Sequence, residues 1–320
     1  MLLRPAVESE LDVFLPLIVT DPVSPAMSPA NYRAKLATGE YRPEWTWLAE
    51  EDDGRVVAVA VWWGPSAAQE PGALDGVFVA DSVGVGEQRV AVAAELLRTA
   101  HDAFAKAGQK SPPAFHIFLP GDWRDRPEVG AELGWRREAA ERVGLTAELE
   151  RLRYEWTADA GLPAASPRLR FRPETDDEVF VDLFRQVLDG SLDAGSLQEA
   201  EELGAEAYAR ADVAFYRDDM LGERDWWRVA EDAATGEVVG FGLPSRNPGF
   251  PVVGYLGVLP AARGRGHVTG ILAEITRVLA EEAGAETVRA DTDLANVPMA
   301  RAFEHVGYRN FARRLVLSAP

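Results

Sequence analysis

The sequence predicts an α/β protein of the mixed-sheet, α+β kind, built as two similar units in tandem. Three observations lead there. Apolar residues alternate along the chain between period-two runs and helical-period runs. The order of those runs is the same in both halves, and residues 158–167, short, polar and rich in Ala, Pro and Gly, separate them as a linker. A length of 320 residues allows each half its own core.

In the first half, residues 2–5 open as a strand, and 8–19 and 29–38 carry helical spacing. Strands at 45–49 and 55–62 flank Glu51-Asp52-Asp53-Gly54, a hairpin turn. A strand near 76–80 leads to a long helix at 87–107, a strand at 114–119 and a helix at about 124–133. The second half starts with a strand at 168–172 and a helix at 176–188, where Val179, Leu183, Phe184 and Val187 share one face. Residues 196–217 read as a single helix with an acidic outer face. Strands at 226–231 and 238–243 flank Ala233-Ala234-Thr235-Gly236, and 252–259 is a further strand. Helix 267–283 buries Ile271, Leu272, Ile275, Val278 and Leu279. Strand 287–292, helix 297–306 and a strand at 311–317 close this half. Ala107-Gly108 and Leu133-Gly134-Trp135 match Ala283-Gly284 and Val306-Gly307-Tyr308, which supports an internal repeat.

Composition narrows the chemistry. The chain has no cysteine, and its four histidines (101, 116, 267 and 305) are scattered, so no metal centre is expected. A net charge of −19 excludes nucleic acid, which needs a basic face. No apolar run approaches the ~18 residues of a membrane span, and Glu8, Glu10 and Asp12 interrupt any leader, so a cytoplasmic protein is expected. Residues 174–237 hold 5 basic and 19 acidic groups, whereas 238–320 hold 9 and 7. Two readings of this asymmetry stay open. The acidic segment is a solvated face, or it attracts a cationic amine while the neighbouring segment tolerates an anionic cofactor.

Val258-Leu259-Pro260-Ala261-Ala262-Arg263-Gly264-Arg265-Gly266 ends an apolar run and opens an amphipathic helix. A strand, a glycine-rich bend and a helix present unpaired backbone N–H groups to an anion, and the two arginines add charge. A second cluster follows, Asp291-Thr292-Asp293-Leu294-Ala295-Asn296, then a short helix ending at Gly307-Tyr308. Together these segments resemble the acetyl-CoA-binding half of a GCN5-related N-acetyltransferase (GNAT). Members carry Arg/Gln-x-x-Gly-x-Gly/Ala at this bend; residues 263–268 match the first four positions, and Val268 replaces the last small residue.

The resemblance implies two tandem acyl-CoA N-acyltransferase folds, 1–157 degenerate and 168–320 catalytic, with acetyl-CoA as co-substrate and no metal. It implies that Leu256, Gly257 and Val258 line the pantetheine arm, with Val258 N–H or its neighbour, freed by a bulge, serving the oxyanion. It places the diphosphate on Arg263, Gly264, Arg265, Gly266, His267, Val268 and Thr269, with the His267 side chain solvated nearby. Asn296, followed eleven residues later by Gly307 and Tyr308, fits the family spacing, although a helix N-cap explains Asn296 equally well.

For the proton transfers, strand 252–259 carries no acid, so Asp291 is the leading base, with Asp293 and then Glu231 behind it. A simple strand-end role suits Asp291 and Asp293 too. An acidic residue at the Asp291 spacing is found in aminoglycoside 6′-acetyltransferases. The family's usual Tyr position is Phe303, so Tyr308, a water or an unaided thiolate takes the acid's place; packing is the other reading of Tyr308. Aligned from the Ala-Gly pairs, Glu87 stands at the place of Arg263 and Val90 at that of Gly266, so the first unit is expected to shape rather than bind. The expected function is N-acetylation of a primary amine on a small or medium cationic acceptor, by direct attack in a ternary complex. A non-catalytic acyl-CoA binder and a mycothiol-synthase-like acetyltransferase are the alternatives, and a monomer or homodimer is expected.

Overall fold

Hairpins lay down most of the strand order in each half, because short polar turns join consecutive apolar runs. The computed structural model describes residues 1–320, which divide into two units: Met1–Arg151 with Ala312–Pro320, and Leu152–Phe311.

In the first unit the chain runs β1 (Leu2–Pro5), α1 (Leu11–Phe14), α2 (Pro29–Thr38), β2 (Thr46–Glu50), β3 (Val56–Trp63), β4 (Ala73–Val79), α3 (Glu87–Ala107), β5 (Ala114–Pro120), α4 (Pro127–Glu141) and β6 (Ala147–Thr157). Strands β1 to β4 pair antiparallel in sequence order, and β4 pairs β5 parallel at Ala73–Ala114. Val57, Ala60 and Trp62 face a core closed by α3, which buries Val90, Ala93, Ala94, Leu97 and Phe104. The alternate residues Val59 and Val61 face a second core with Phe14 and Tyr32. The expected helix at 8–19 is cut to one turn, since Pro16 cannot donate to a helical ladder.

The second unit takes in residues 152–157 of β6, then β7 (Leu169–Pro173), α5 (Asp177–Val187), α6 (Ala194–Leu203), α7 (Ala205–Ala214), β8 (Arg228–Asp232), β9 (Val238–Arg246), β10 (Pro251–Val258), α8 (His267–Glu281), β11 (Thr287–Asp293), α9 (Val297–His305) and the start of β12 (Arg309–Ser318). Strands β7, β8, β9 and β10 pair antiparallel in order, and β10 pairs β11 parallel. Helix α8 covers one face with Ile271, Leu272, Ile275 and Leu279; α5 and α7 cover the other with Phe180, Phe184, Tyr208 and Val213.

Three expectations are corrected. The segment 196–217 is two helices rather than one, because Gly204 adopts φ +86 and ends α6. Helix α4 runs through Gly134, so Leu133-Gly134-Trp135 is not a counterpart of Gly307, which follows a helix end at φ +94. Strand 311–317 does not close its own half: Ala312–Leu317 pair with β5 in the first unit, and Leu315 and Leu317 enter that core. In the second unit Leu152, Tyr154 and Trp156 of β6 fill the core beside β11, and residues 158–167 follow them within that unit.

Candidate active site

Strand β10 is central in its sheet, yet all of it except Gly257 is half-exposed. The reason is its neighbour. β10 and β11 are in register at Val252 and Arg289, and no further registered pair follows toward Val258, so an apolar strand faces a gap. On its other side β10 stays paired with β9, apart from one bulge at Gly254. The Gly254 carbonyl accepts the Tyr216 hydroxyl at 2.8 Å. The bulge therefore lies at Gly254, four residues before the Val258 position at which it was expected.

Leu259 N–H donates to Val239 O at 2.9 Å. Strand alternation then turns the backbone of Leu256 and Val258 toward the gap, and that of Gly257 toward β9. Gly257 is a packing glycine rather than a lining group: a Cβ there would stand 2.8 Å from both Phe241 and Val187.

The bend after β10 is a short turn (Pro260–Ala262) followed by Gly264 at φ +74 and Gly266 at φ +78, the N-cap of α8. Left-handed backbone there requires glycine, and neither position has a protein atom within 4 Å of where a Cβ would stand. None of the N–H groups from Gly264 to Thr269 donates to another protein group, which leaves six donors without acceptors at a helix N-terminus. Val268, larger than the family residue, is half-buried and does not close the bend.

The two arginines of the bend have different work. Arg263 turns inward: Nε donates to Val258 O at 3.1 Å, Nη2 to Val187 O at 2.8 Å, and Nη1 to Asp189 O. It satisfies the carbonyls that end α5 and ties that helix to the bend. Arg265 is exposed and makes no hydrogen bond or ion pair with its side chain, while its carbonyl accepts Arg168 Nη1 at 2.9 Å. Arg168, also exposed, is a second cation beside the bend that sequence reading assigned only to a strand; nothing in its spacing marks it.

His267 differs from the expected solvated side chain. It is 3% exposed, its Nε2 has no partner, and burial, with the charge of Arg168, holds its pKa below the usual imidazole range. A neutral ring suits the positive end of a helix.

The carboxylates also separate. Asp291, near the end of β11, is partly exposed and pairs with Arg153 Nε at 3.4 Å. Asp293 is 1% exposed and accepts the Ala194 N–H at 2.7 Å, which fixes the start of α6. Glu231 pairs with Arg172 at 2.9 Å, and β9 separates its strand from β10. Tyr308 is buried and shares a 2.8 Å hydrogen bond with Thr276; burial raises its hydroxyl pKa well above the ordinary phenol value. Such a group suits packing between α8 and α9, not proton donation to the gap. Phe303, at the family's tyrosine position, stacks on Tyr154 at 4.8 Å. Asn296 caps α9 through Met299 N–H at 3.3 Å, and its side-chain nitrogen donates to no protein group.

Counted from helix starts rather than helix ends, Gly84 and Gly86 before α3 correspond to Gly264 and Gly266, with Val83 and Val85 at the places of the arginines. Glu87 and Val90 are thus inside the helix and are not the counterparts of Arg263 and Gly266.

An anion fits the second-unit bend on these grounds: six amides without acceptors, two exposed guanidinium groups and no Cβ in the way. Residues 196–308 match the model of the acetyltransferase (GNAT) family. No curated protein matches the chain. Among solved structures it is similar to a GCN5-related N-acetyltransferase from Sphaerobacter thermophilus, at 16% identity and TM-score 0.59, over 98% of this chain and 94% of that one. It is similar to a tandem GNAT protein from the clavulanic acid biosynthesis pathway, at 20% identity and TM-score 0.52, over 100% and 98%. A glucosamine N-acetyltransferase region in a fungal multi-domain GH3 beta-N-acetylglucosaminidase aligns at 13% identity and TM-score 0.53, over 98% and 38%. These likenesses are of fold.

Proposed function

We infer that this chain, whose residues 196–308 form a GNAT-family domain, is an acetyl-CoA-dependent N-acetyltransferase acting on a primary amine of a small or medium cationic acceptor. The observation that carries the reading is the row of six unaccepted amides at the head of α8, beside the gap between β10 and β11. Acetyl-CoA supplies an activated acetyl thioester. Gly264 to Thr269 would hold its diphosphate, with Arg265 and Arg168 adding positive charge, and the backbone of Leu256 and Val258 would orient the arm.

The protein's own tasks in the chemistry are few. Both substrates are held together, so the amine attacks directly in a ternary complex. Asp291 would accept the amine proton, directly or through a water, which requires its carboxylate to release Arg153 in part. A backbone N–H of β10 turned to the gap, from Leu256 or Val258, would meet the developing negative oxygen. Phe303 and Tyr308 are not placed to donate a proton, so as the C–N bond forms the C–S bond breaks and coenzyme A leaves as its thiolate, protonated by water. The first unit would have a structural or substrate-shaping role.

Thiol release from acetyl-CoA with a panel of amines tests this reading. Amine-dependent release is expected, and Asp291→Asn should lower turnover at least about tenfold with little change in cofactor affinity. Tight cofactor binding with no amine-dependent release would favour a non-catalytic acyl-CoA binder.

A further inference from the structure

The C-terminal half of α3 walls a cavity of about 320 Å³ in the first unit. That volume is at the lower end of the ~300–1,000 Å³ typical of small-molecule sites. The cavity is remote from the bend that corresponds to the second unit's anion site. At a helical rise of ~1.5 Å per residue, His101 lies about 20 Å along α3 from the Gly-x-Gly turn at its head. At this end β4 and β5 are in register, at Ala73–Ala114 and Leu74–Phe115, and Gln109 Nε2 donates to Pro71 O at 3.0 Å. The cavity is therefore not a worn counterpart of the gap beside β10.

Arg98, His101, Asp102 and Ala105 recur at three- and four-residue spacing, so one face of α3 looks onto the cavity. The wall has two characters. Phe104, Pro112 and Val143 form an apolar side, with Phe104 backed edge-on by Trp62 at 5.2 Å between ring centres. Arg98 and Lys110 form a cationic side.

The charges are the unusual part. In a chain of net charge −19, cations find acidic partners readily, and Arg142 at the rim pairs with both Glu87 and Glu138. Arg98 and Lys110 form no ion pair. Arg98 uses one guanidinium nitrogen on the Arg142 carbonyl, at 3.1 Å, and Lys110 makes no hydrogen bond. Asp102, the single acid in the wall, is exposed and pairs with neither. His101 completes the polar side. Burial keeps its ring neutral, its Nε2 has no partner in the chain, and a neutral imidazole can donate from that atom.

Two unmatched cations and an imidazole without a partner, along one edge of an apolar hollow, suit a carboxylate carried on an apolar body. An inorganic anion would leave the apolar side uncovered. We propose that this cavity is a binding site for a small apolar carboxylic acid, its carboxylate on Arg98 and Lys110 and its body against Phe104 and Val143. The proposal does not rest on the acetyl-transfer reading.

The test is calorimetric titration of the whole chain with phenylacetate, with phenylacetamide as the uncharged control of the same shape. Phenylacetate should bind at least about tenfold more tightly than phenylacetamide. Lys110→Met removes no contact within the chain and should weaken phenylacetate about fivefold. Ala105→Phe fills the hollow from an exposed helix position and should weaken it at least about thirtyfold. Saturating coenzyme A should leave phenylacetate affinity unchanged, which separates this cavity from the bend before α8. No binding of phenylacetate, equal affinity for the two probes, competition by coenzyme A, or binding untouched by both substitutions each overturns the proposal. Phenylacetate binding with these properties in a chain that transfers no acetyl group would sink the acetyltransferase reading alone.

Discussion

Helices α3 and α8 both begin after a Gly-x-Gly turn with positive φ, and only one of them is fit to hold an anion. Before α8, Gly266 is in the left-handed helical region at φ +78, ψ +12, and leads straight into right-handed helix. That succession points neighbouring N–H groups into one hollow. Before α3, Gly84 is at φ +94, ψ −164 and Gly86 at φ +64, ψ −131, so the same residue pattern follows a different path. The hollow is also filled: a Cβ on Gly84 would stand 2.7 Å from Gln88 Oε1, and Glu87, paired with Arg142 at 2.7 Å, puts a carboxylate in the first turn. A cavity of about 320 Å³ in the first unit lies along the C-terminal half of α3 beside His101, Gln109 and Lys110. Glycines alone do not make a phosphate site. The ψ angle and the neighbouring side chains decide.

The largest expected effect breaks the symmetry directly. Gly266→Val should weaken coenzyme A binding by about a hundredfold or more, because a β-branched residue resists positive φ and would intrude on the bend. Gly86→Val should leave that binding unchanged, as measured by calorimetric titration; a matching loss in both variants would show that the first bend binds too.

A smaller contrast lies within the second bend. Arg263→Met removes three hydrogen bonds to carbonyls and should destabilise the protein by about 3 kcal/mol in denaturant unfolding. Arg265→Ser should leave stability unchanged and lower coenzyme A affinity about tenfold at low salt, less at high salt. Reversed roles would mean that the inward and outward arginines are exchanged.

The smallest effect is common to both units, each of which hides a neutral histidine. Burial lowers His101 to about 4, and His267 shifts the same way. The unfolded chain therefore binds these protons more readily. The associated stability is whole above pH 6.5 and is lost as pH falls toward 4. His101→Asn should flatten the fall in melting temperature over that window; an unchanged slope would place the titration elsewhere.

Element order, the α8 core face and the bend were legible because each rests on local pattern: Ile271, Leu272, Ile275 and Leu279 recur at helical spacing, and Gly264 and Gly266 punctuate a strand-to-helix turn. The helix break at Gly204 was written in the sequence and overridden by the acidic periodicity around it. Other features depend on contacts far apart in the chain. Arg263 turns inward because the carbonyls of Val187 and Asp189 lie within reach. Tyr308 meets Thr276 only after helices pack. Spacing within one segment cannot report such meetings. The two repeats differ in helix length, since α3 spans 21 residues and α8 spans 15, so helix starts and helix ends give different offsets.

The pairing of Ala312–Leu317 with β5 has a consequence for how the protein is made. During synthesis the first unit leaves the ribosome with one edge of its sheet waiting, and the segment that completes it is translated only after the whole second unit. Until then His116, Phe118 and their neighbours on β5 lack that strand, which leaves an open sheet edge to be guarded. A chain cut between residues 157 and 168 would therefore yield two fragments: one without its closing strand, and one without Leu152, Tyr154 and Trp156 in its core.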